Sequence, residues 1–393
     1  LGSLEMVRVL QVSATLSSLD GGPAEAALNL NRALRAHGVD ATIVSTDQHS
    51  AGQLPDERRR YITASGVAAE LYRAHWPFGV KASIRMALAL SRHVRASDVV
   101  HIHGFYLWHA VLAATYAQFH RVPYLIQPHG VFEPYQEQQS TRIKSLFMRL
   151  GGRRALRLAS AIAFDTETER RVAVLPRCAR AVRRVIIAPA PRGQRPKARD
   201  IGGVSPGPHI LFLARIAPKK RVDLVIAAMP EILRQFPGAR LTIAGDDAEH
   251  LAESALQQSP AQARAAITCC GFVEGVAKDE LIDSADVYVL PSENENFGIS
   301  VTEALAAGLP VVISKNIALW QQVREHEAGI VIDQLDAADV AQAVCTLFSD
   351  AQRLHTAGNA ALDLGRILFS ADATREQAMN AYETALGMTP ALH

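Results

Sequence analysis

Apolar residues in this chain gather in short, nearly unbroken runs, each followed by a polar or glycine-bearing loop and then a stretch with helical spacing. Unbroken apolar runs mark strands covered on both faces, as in parallel sheets. Val7–Val12, Val99–His103 and Tyr124–Gln127 read as such strands. Asp20-Gly-Gly-Pro23 reads as a tight loop, Ala24–Ala36 as a helix ending near Gly38, and Ala41–Ser45 as the next strand. The segment Pro189–Pro208, rich in Pro, Gly and Arg, is the best linker candidate. Beyond it the pattern restarts with strand Ile210–Leu213, helix Leu224–Phe236 and strand Arg240–Ala244. Strand Asp286–Leu290 follows, then a short helix stopped by Gly308-Leu-Pro310 and the strand Val311–Ile313. Two parallel α/β halves are expected, facing a cleft of the kind where ligands commonly bind. The expected divisions are residues 6–190, residues 205–368 and a final segment 369–393, whose Phe369–Leu386 reads as a helix.

The chain has 393 residues, enough for two substantial cores, and ordinary apolar and charged fractions. It has no apolar run long enough to span a bilayer and no secretory leader pattern at its start. Leu1–Glu5 ahead of Met6 reads as a cloning remnant. Cys178, Cys269, Cys270 and Cys345 lack metal-ligand spacing, and adjacent Cys269 and Cys270 are expected to be buried small hydrophobes. A cytoplasmic location is expected.

Net charge hides a polarity. Residues 1–200 hold 28 Lys and Arg against 15 Asp and Glu (+13), and residues 201–393 hold 13 against 24 (−11). Such a split suggests that the first half meets an anionic partner. Arg142, Lys144, Arg149, Arg153, Arg154 and Arg157 interleave with Ile143, Leu146, Phe147, Met148, Leu150, Leu156 and Leu158. That pattern suits an acidic membrane surface slightly better than a packed surface helix with solvated arginines, although Gly151-Gly152 interrupts it. No nucleic-acid-binding motif accompanies the charge.

Polar chemistry concentrates in Pro291–Ser314, where Glu295 and Glu303 stand eight residues apart across Phe297-Gly298. Glu295 falls in the loop at the carboxyl end of a strand, where ligands of parallel sheets gather, and Glu303 one turn into the helix. Gly298 permits close backbone approach, the open N–H groups of a helix start suit a phosphate, and carboxylates accept from sugar or ribose hydroxyls. Ser300-Val-Thr-Glu303 also fits a capping box, and Glu295 alone also fits a solvated loop acid. Upstream, Leu213-Ala-Arg215-Ile-Ala-Pro-Lys-Lys220 sets cations after a strand, matched to phosphate oxygens.

The stretch PSENENFGISVTEALAAGLPVVIS closely resembles the E-x7-E signature of retaining glycosyltransferases of the GT-B fold, family 4 (glycosyl transferases group 1). The pattern of Pro-Ser, Glu, Phe-Gly, a second Glu, Ala and Gly-x-Pro-Val-Val is present throughout. The resemblance is strongest over residues 209–314 and weak through 47–95 and 131–200. It implies two Rossmann-like domains facing a deep cleft, with a C-terminal helix crossing back to the first. It also implies a retaining transfer of a hexose from a UDP- or GDP-linked donor to a glycan or lipid-linked saccharide, and the basic first half favours a lipid-linked, phosphate-bearing acceptor in cell-surface polysaccharide biosynthesis.

By the same resemblance, Arg215 and Lys220 match the family's G-R-x-x-x-x-K-G segment and bind the donor diphosphate. Ala214 and Arg221 stand where the family has Gly, and a shifted register would use Lys219. Glu295 would hold sugar hydroxyls and Glu303 the ribose, while Asn296, Phe297 and Gly298 present backbone N–H groups. Gly21 and Gly22 resemble the glycine loop against the diphosphate. His129, followed by Gly130, resembles the His-Gly element near the donor sugar; His101 and His103 carry less of the pattern. Gly245 with Asp246, and Gly271-Phe272-Val273, resemble loops bordering the base. The implied mechanism is front-face attack with no side-chain nucleophile. No Asp-x-Asp is evident, so no metal and no cofactor is expected, with Arg215 and Lys220 in place of a divalent ion. The alternatives are a nucleotide-sugar epimerase or phosphorylase on the same fold, or an inactive nucleotide-binding subunit. The expected location is cytoplasmic, with possible peripheral contact at the inner membrane face.

Overall fold

The structure is a computed structural model that describes residues 7–18, 22–49, 52–75, 81–134, 141–190, 207–295 and 297–388. It divides into two units, residues 1–192 with 371–393, and residues 193–370. Gly21, Asn296, residues 1–6 and most of the linker candidate lie outside the described residues.

The strands of the first unit are β1 (Arg8–Thr15), β2 (Asp40–Thr46), β3 (Gln48–His49), β4 (Gly52–Gln53), β5 (Ala69–Tyr72), β6 (Val99–His103), β7 (Tyr124–Gln127), β8 (Ala161–Phe164) and β9 (Arg183–Ile186). Seven of them form a sheet in the order β5-β2-β1-β6-β7-β8-β9, every pair parallel. β3 and β4 make a small antiparallel pair. Strands β6, β7 and β8 are buried along their whole length, as their unbroken apolar runs require. Helix Gly22–Ala36 buries Ala24, Ala27, Leu28, Leu30 and Leu34.

The second unit contains β10 (His209–Leu213), β11 (Arg240–Ala244), β12 (Ile267–Gly271), β13 (Val287–Leu290), β14 (Val311–Ser314) and β15 (Gly329–Ile332). Their order is β12-β11-β10-β13-β14-β15, again parallel throughout. In both units the first strand is central and the winding reverses beside it, between β1 and β6 and between β10 and β13. This is the doubly wound Rossmann-like topology, whose ligands collect at the reversal point.

One reading of the sequence needs correction. Cys269 and Cys270 are exposed, because β12 is an edge strand with one neighbour and little cover. The helix expected over Phe369–Leu386 is Ala371–Ala385, and a separate helix, Ala351–Phe369, precedes it and ends at an extended Ser370. Helix Ala351–Phe369 packs on helix Ile299–Ala306, and Ala371–Ala385 returns to helix Gly22–Ala36 of the first unit, as the resemblance implied. A Cβ on Gly365 would lie 2.7 Å from the Ala306 backbone, so only glycine permits that close approach.

Candidate active site

In the second unit, Arg215, Lys220, Gly245, Val273, Glu295, Phe297, Gly298 and Glu303 all lie on loops or first turns after β10, β11, β12 and β13. One sheet edge, centred on the β10/β13 reversal, therefore collects every described candidate of that unit. Backbone hydrogen bonds stitch the edge together. Ser292 Oγ and Glu293 N donate to the Lys219 carbonyl at 2.9 and 2.7 Å. Glu295 N donates to the Asn316 carbonyl at 3.2 Å, and Ala318 N to the Glu295 carbonyl at 3.1 Å. The glutamate loop is thus held from both sides.

Gly298 is the N-cap of helix Ile299–Ala306, with φ 72° and ψ 62°, a conformation that disfavours a side chain. It has no side-chain cap. Ser300 lies inside the helix and its hydroxyl meets Tyr288 Oη at 2.7 Å, which excludes the capping-box reading of Glu303. Instead Lys278 Nζ donates to Glu303 Oε1 at 2.6 Å, with side chains 15% and 7% exposed. Phe297 is buried edge-to-face against Phe369, with centroids 5.5 Å apart.

Pro218–Lys220 forms a single tight turn that directs Lys220, not Lys219, onto Glu295. Burial pulls the Lys220 ammonium below its usual range, Glu295 pushes it back up, and Lys219 and Arg215 depress it further. Arg221 adopts φ 54°, the left-handed region where the family pattern has Gly. Its guanidinium pairs with Asp223 at 2.9 Å and Glu293 at 3.2 Å. Arg215 is exposed at the end of β10. At Gly245 a Cβ would fall 1.8 Å from the Ala214 carbonyl oxygen, so a glycine there is what lets the two loops touch.

Gly22 opens the first helix of the first unit. His129, with φ 54°, is nearly buried and both ring nitrogens are engaged. Nδ1 lies 2.9 Å from Asp165 Oδ1, and Nε2 3.1 Å from His103 Nδ1. His103 continues to Gln11 at 3.0 Å, and His101 bonds Tyr382 Oη at 2.8 Å. Glu169 accepts from the backbone N–H of Gly130 and of Asp165, both at 2.7 Å, and so builds the His-Gly turn. Sequence reasoning missed Lys278, Asp165, Glu169 and Tyr382. Asp165 had a signal, as the first polar residue after the buried run Ala161–Phe164.

Two parallel doubly wound units, with cations and paired glutamates at a reversal point, define the GT-B glycosyltransferase class. Residues 21–190 match the glycosyl transferase 4-like domain, and residues 194–363 match glycosyl transferases group 1. Both halves of the chain are thus related to glycosyltransferase family 4, the glycosyl transferases group 1. It is 34% identical over 193 residues to an uncharacterized glycosyltransferase, MJ1607, of Methanocaldococcus jannaschii, covering 48% of each chain. It is 32% identical over 200 residues to phosphatidyl-myo-inositol mannosyltransferase of Mycobacterium tuberculosis, covering 48% of this chain and 50% of that one. The chain therefore spans about half the length of these curated relatives. The Anabaena Alr3699/HepE structure, solved with UDP and glucose, superposes with a TM-score of 0.72 at 16% identity, covering 95% of this chain and 98% of that one. That likeness is one of fold.

Proposed function

We propose that this protein is a retaining hexosyltransferase that moves a hexose from a UDP- or GDP-linked donor to a glycan or lipid-linked saccharide in cell-surface polysaccharide assembly. The observation that carries the reading is the β10/β13 reversal point, where Lys220 contacts Glu295 and where Arg215 and Glu303 lie on the same sheet edge. During transfer the acceptor hydroxyl oxygen bonds the anomeric carbon as the carbon–oxygen bond to the diphosphate breaks. The electron pair leaves with the diphosphate oxygen, which takes the acceptor's proton. Negative charge grows on that leaving group, and preplaced cations and helix N–H groups stabilise it. Arg215 and Lys220 supply the charge, Glu295 holds sugar hydroxyls, and Glu303 holds the ribose.

A thermal-shift screen of UDP, GDP, ADP and their hexose conjugates tests this. One nucleotide class should stabilise the protein by about 2.7 kcal/mol at a hundredfold excess over Kd. The shift should vanish in Arg215→Ala; an unchanged shift in that variant would remove the site assignment.

We also propose peripheral contact with an anionic membrane at the cytoplasmic face. Exposed Ile143, Leu146 and Leu150 share the segment with exposed Arg142, Arg149, Arg153 and Arg154, which supports the contact. Co-sedimentation should be strong with anionic vesicles, weak with neutral ones, and reduced in Leu146→Ser/Leu150→Ser. Equal binding to both vesicle types would end this reading.

A further inference from the structure

Each carboxylate of the site already holds a lysine. Lys220 contacts Glu295, with side chains only 12% and 17% exposed, and Lys278 holds Glu303. Resting on the donor-binding reading above, we propose that Glu295 competes with the diphosphate for Lys220, and thereby makes the site favour the sugar-linked donor over the bare diphosphate.

A diphosphate arriving alone must draw Lys220 away from Glu295. That strands a carboxylate in a largely desolvated place, which is costly. A hexose-linked donor brings hydroxyl groups that donate to the same carboxylate. Lys220 then passes to the phosphates and Glu295 is satisfied again. After transfer the hexose leaves on the acceptor, Glu295 loses its donors, and it draws Lys220 back from the product. The glutamate that grips the sugar thus also loosens the spent nucleotide.

The surroundings supply the order of events. Arg215 is exposed, and among the described residues no carboxylate pairs with it, so it is the cation that meets an incoming diphosphate first. Glu303 is an internal contrast. Its expected ligand, the ribose, is present in donor and product alike, so the Lys278 pair cannot tell the two apart.

The test is calorimetric binding of UDP, GDP and their hexose conjugates to the full chain and to Glu295→Gln, Lys220→Met and the double variant. At pH 7, Glu295→Gln should bind the bare diphosphate about tenfold tighter than the parent. It should also lose the preference for the hexose conjugate. Lys220→Met should bind more weakly, and adding Glu295→Gln to it should bring no gain. The double variant leaves no lone buried charge, which guards against a folding defect in either single change. The gain should also shrink as pH rises, because Lys220 without Glu295 gives up its proton more readily. Bare-diphosphate binding that is equal or weaker in Glu295→Gln, while the parent still binds, would overturn the competition alone. A parent that binds no nucleotide would overturn the donor-binding reading and this inference with it.

Discussion

Between pH 7 and pH 5 the protein is expected to lose stability with increasing steepness, by up to about 1.4 kcal/mol per pH unit for each buried imidazole that stays neutral. The cause is a trio of buried imidazoles in the first unit. Burial pushes His101 down to about 3, helped by the nearby His129 charge, and His109 down to about 4. It holds His103 well below the ordinary range, aided by its histidine neighbours. His109 Nε2 donates to the His103 carbonyl at 2.9 Å, while its Nδ1 and His101 Nε2 are buried without a partner. A proton added there would be an unpaired buried donor. The unfolded chain takes up three protons as pH falls through 6.5 and the folded chain refuses them, so stability drops.

One group opposes this. Burial and Asp165 raise Glu169 well above its usual range, so the folded state holds a proton there that the unfolded state releases above about 4.5. That retained proton offsets part of the loss. Urea titrations at pH 7, 6 and 5 give the slope directly. His101→Gln, which can bond Tyr382 in its place, should flatten it by up to about 1.4 kcal/mol per pH unit near pH 5. A flat profile in the parent would mean that the imidazoles accept protons within the fold.

Replacing Lys278 by Met is expected to cost about 3–5 kcal/mol of stability, because it strands the Glu303 carboxylate. Glu303 cannot readily swing to water, since its helix is pressed against Ala351–Phe369 at the Gly365–Ala306 contact. Lys278→Met/Glu303→Leu should recover most of the loss, as apolar groups of similar volume replace the pair. Denaturation midpoints of the two variants decide it. A single variant within about 0.5 kcal/mol of the parent would show that Glu303 reaches solvent.

The sequence was most legible where strands are buried on both faces. Val99–His103, Tyr124–Gln127 and Arg240–Ala244 have the bounds their apolar runs predict, because a two-faced core demands continuous hydrophobicity. The same logic failed for Cys269-Cys270, since nothing local says that a strand lies at an edge. At the site, Glu295 and Glu303 were visible through spacing, but the purpose of Glu303 was not. A capping box fits the same spacing, and it is excluded by the N-cap at Gly298 and by the Ser300–Tyr288 bond, neither of which the spacing announces. Whether Lys219 or Lys220 faces inward depended on one turn, Pro218–Lys220. Lys278 and Glu169 were hidden because their partners lie on other elements and no motif links them.

The return of helix Ala371–Ala385 to the first unit has a consequence for biosynthesis. Tyr382 is fully buried there and bonds His101 across 281 positions of chain. On the ribosome, residues 193–370 emerge before that helix does. The unit made first is therefore the last to be sealed, and it waits, with part of one face of its sheet uncovered, while its younger neighbour closes.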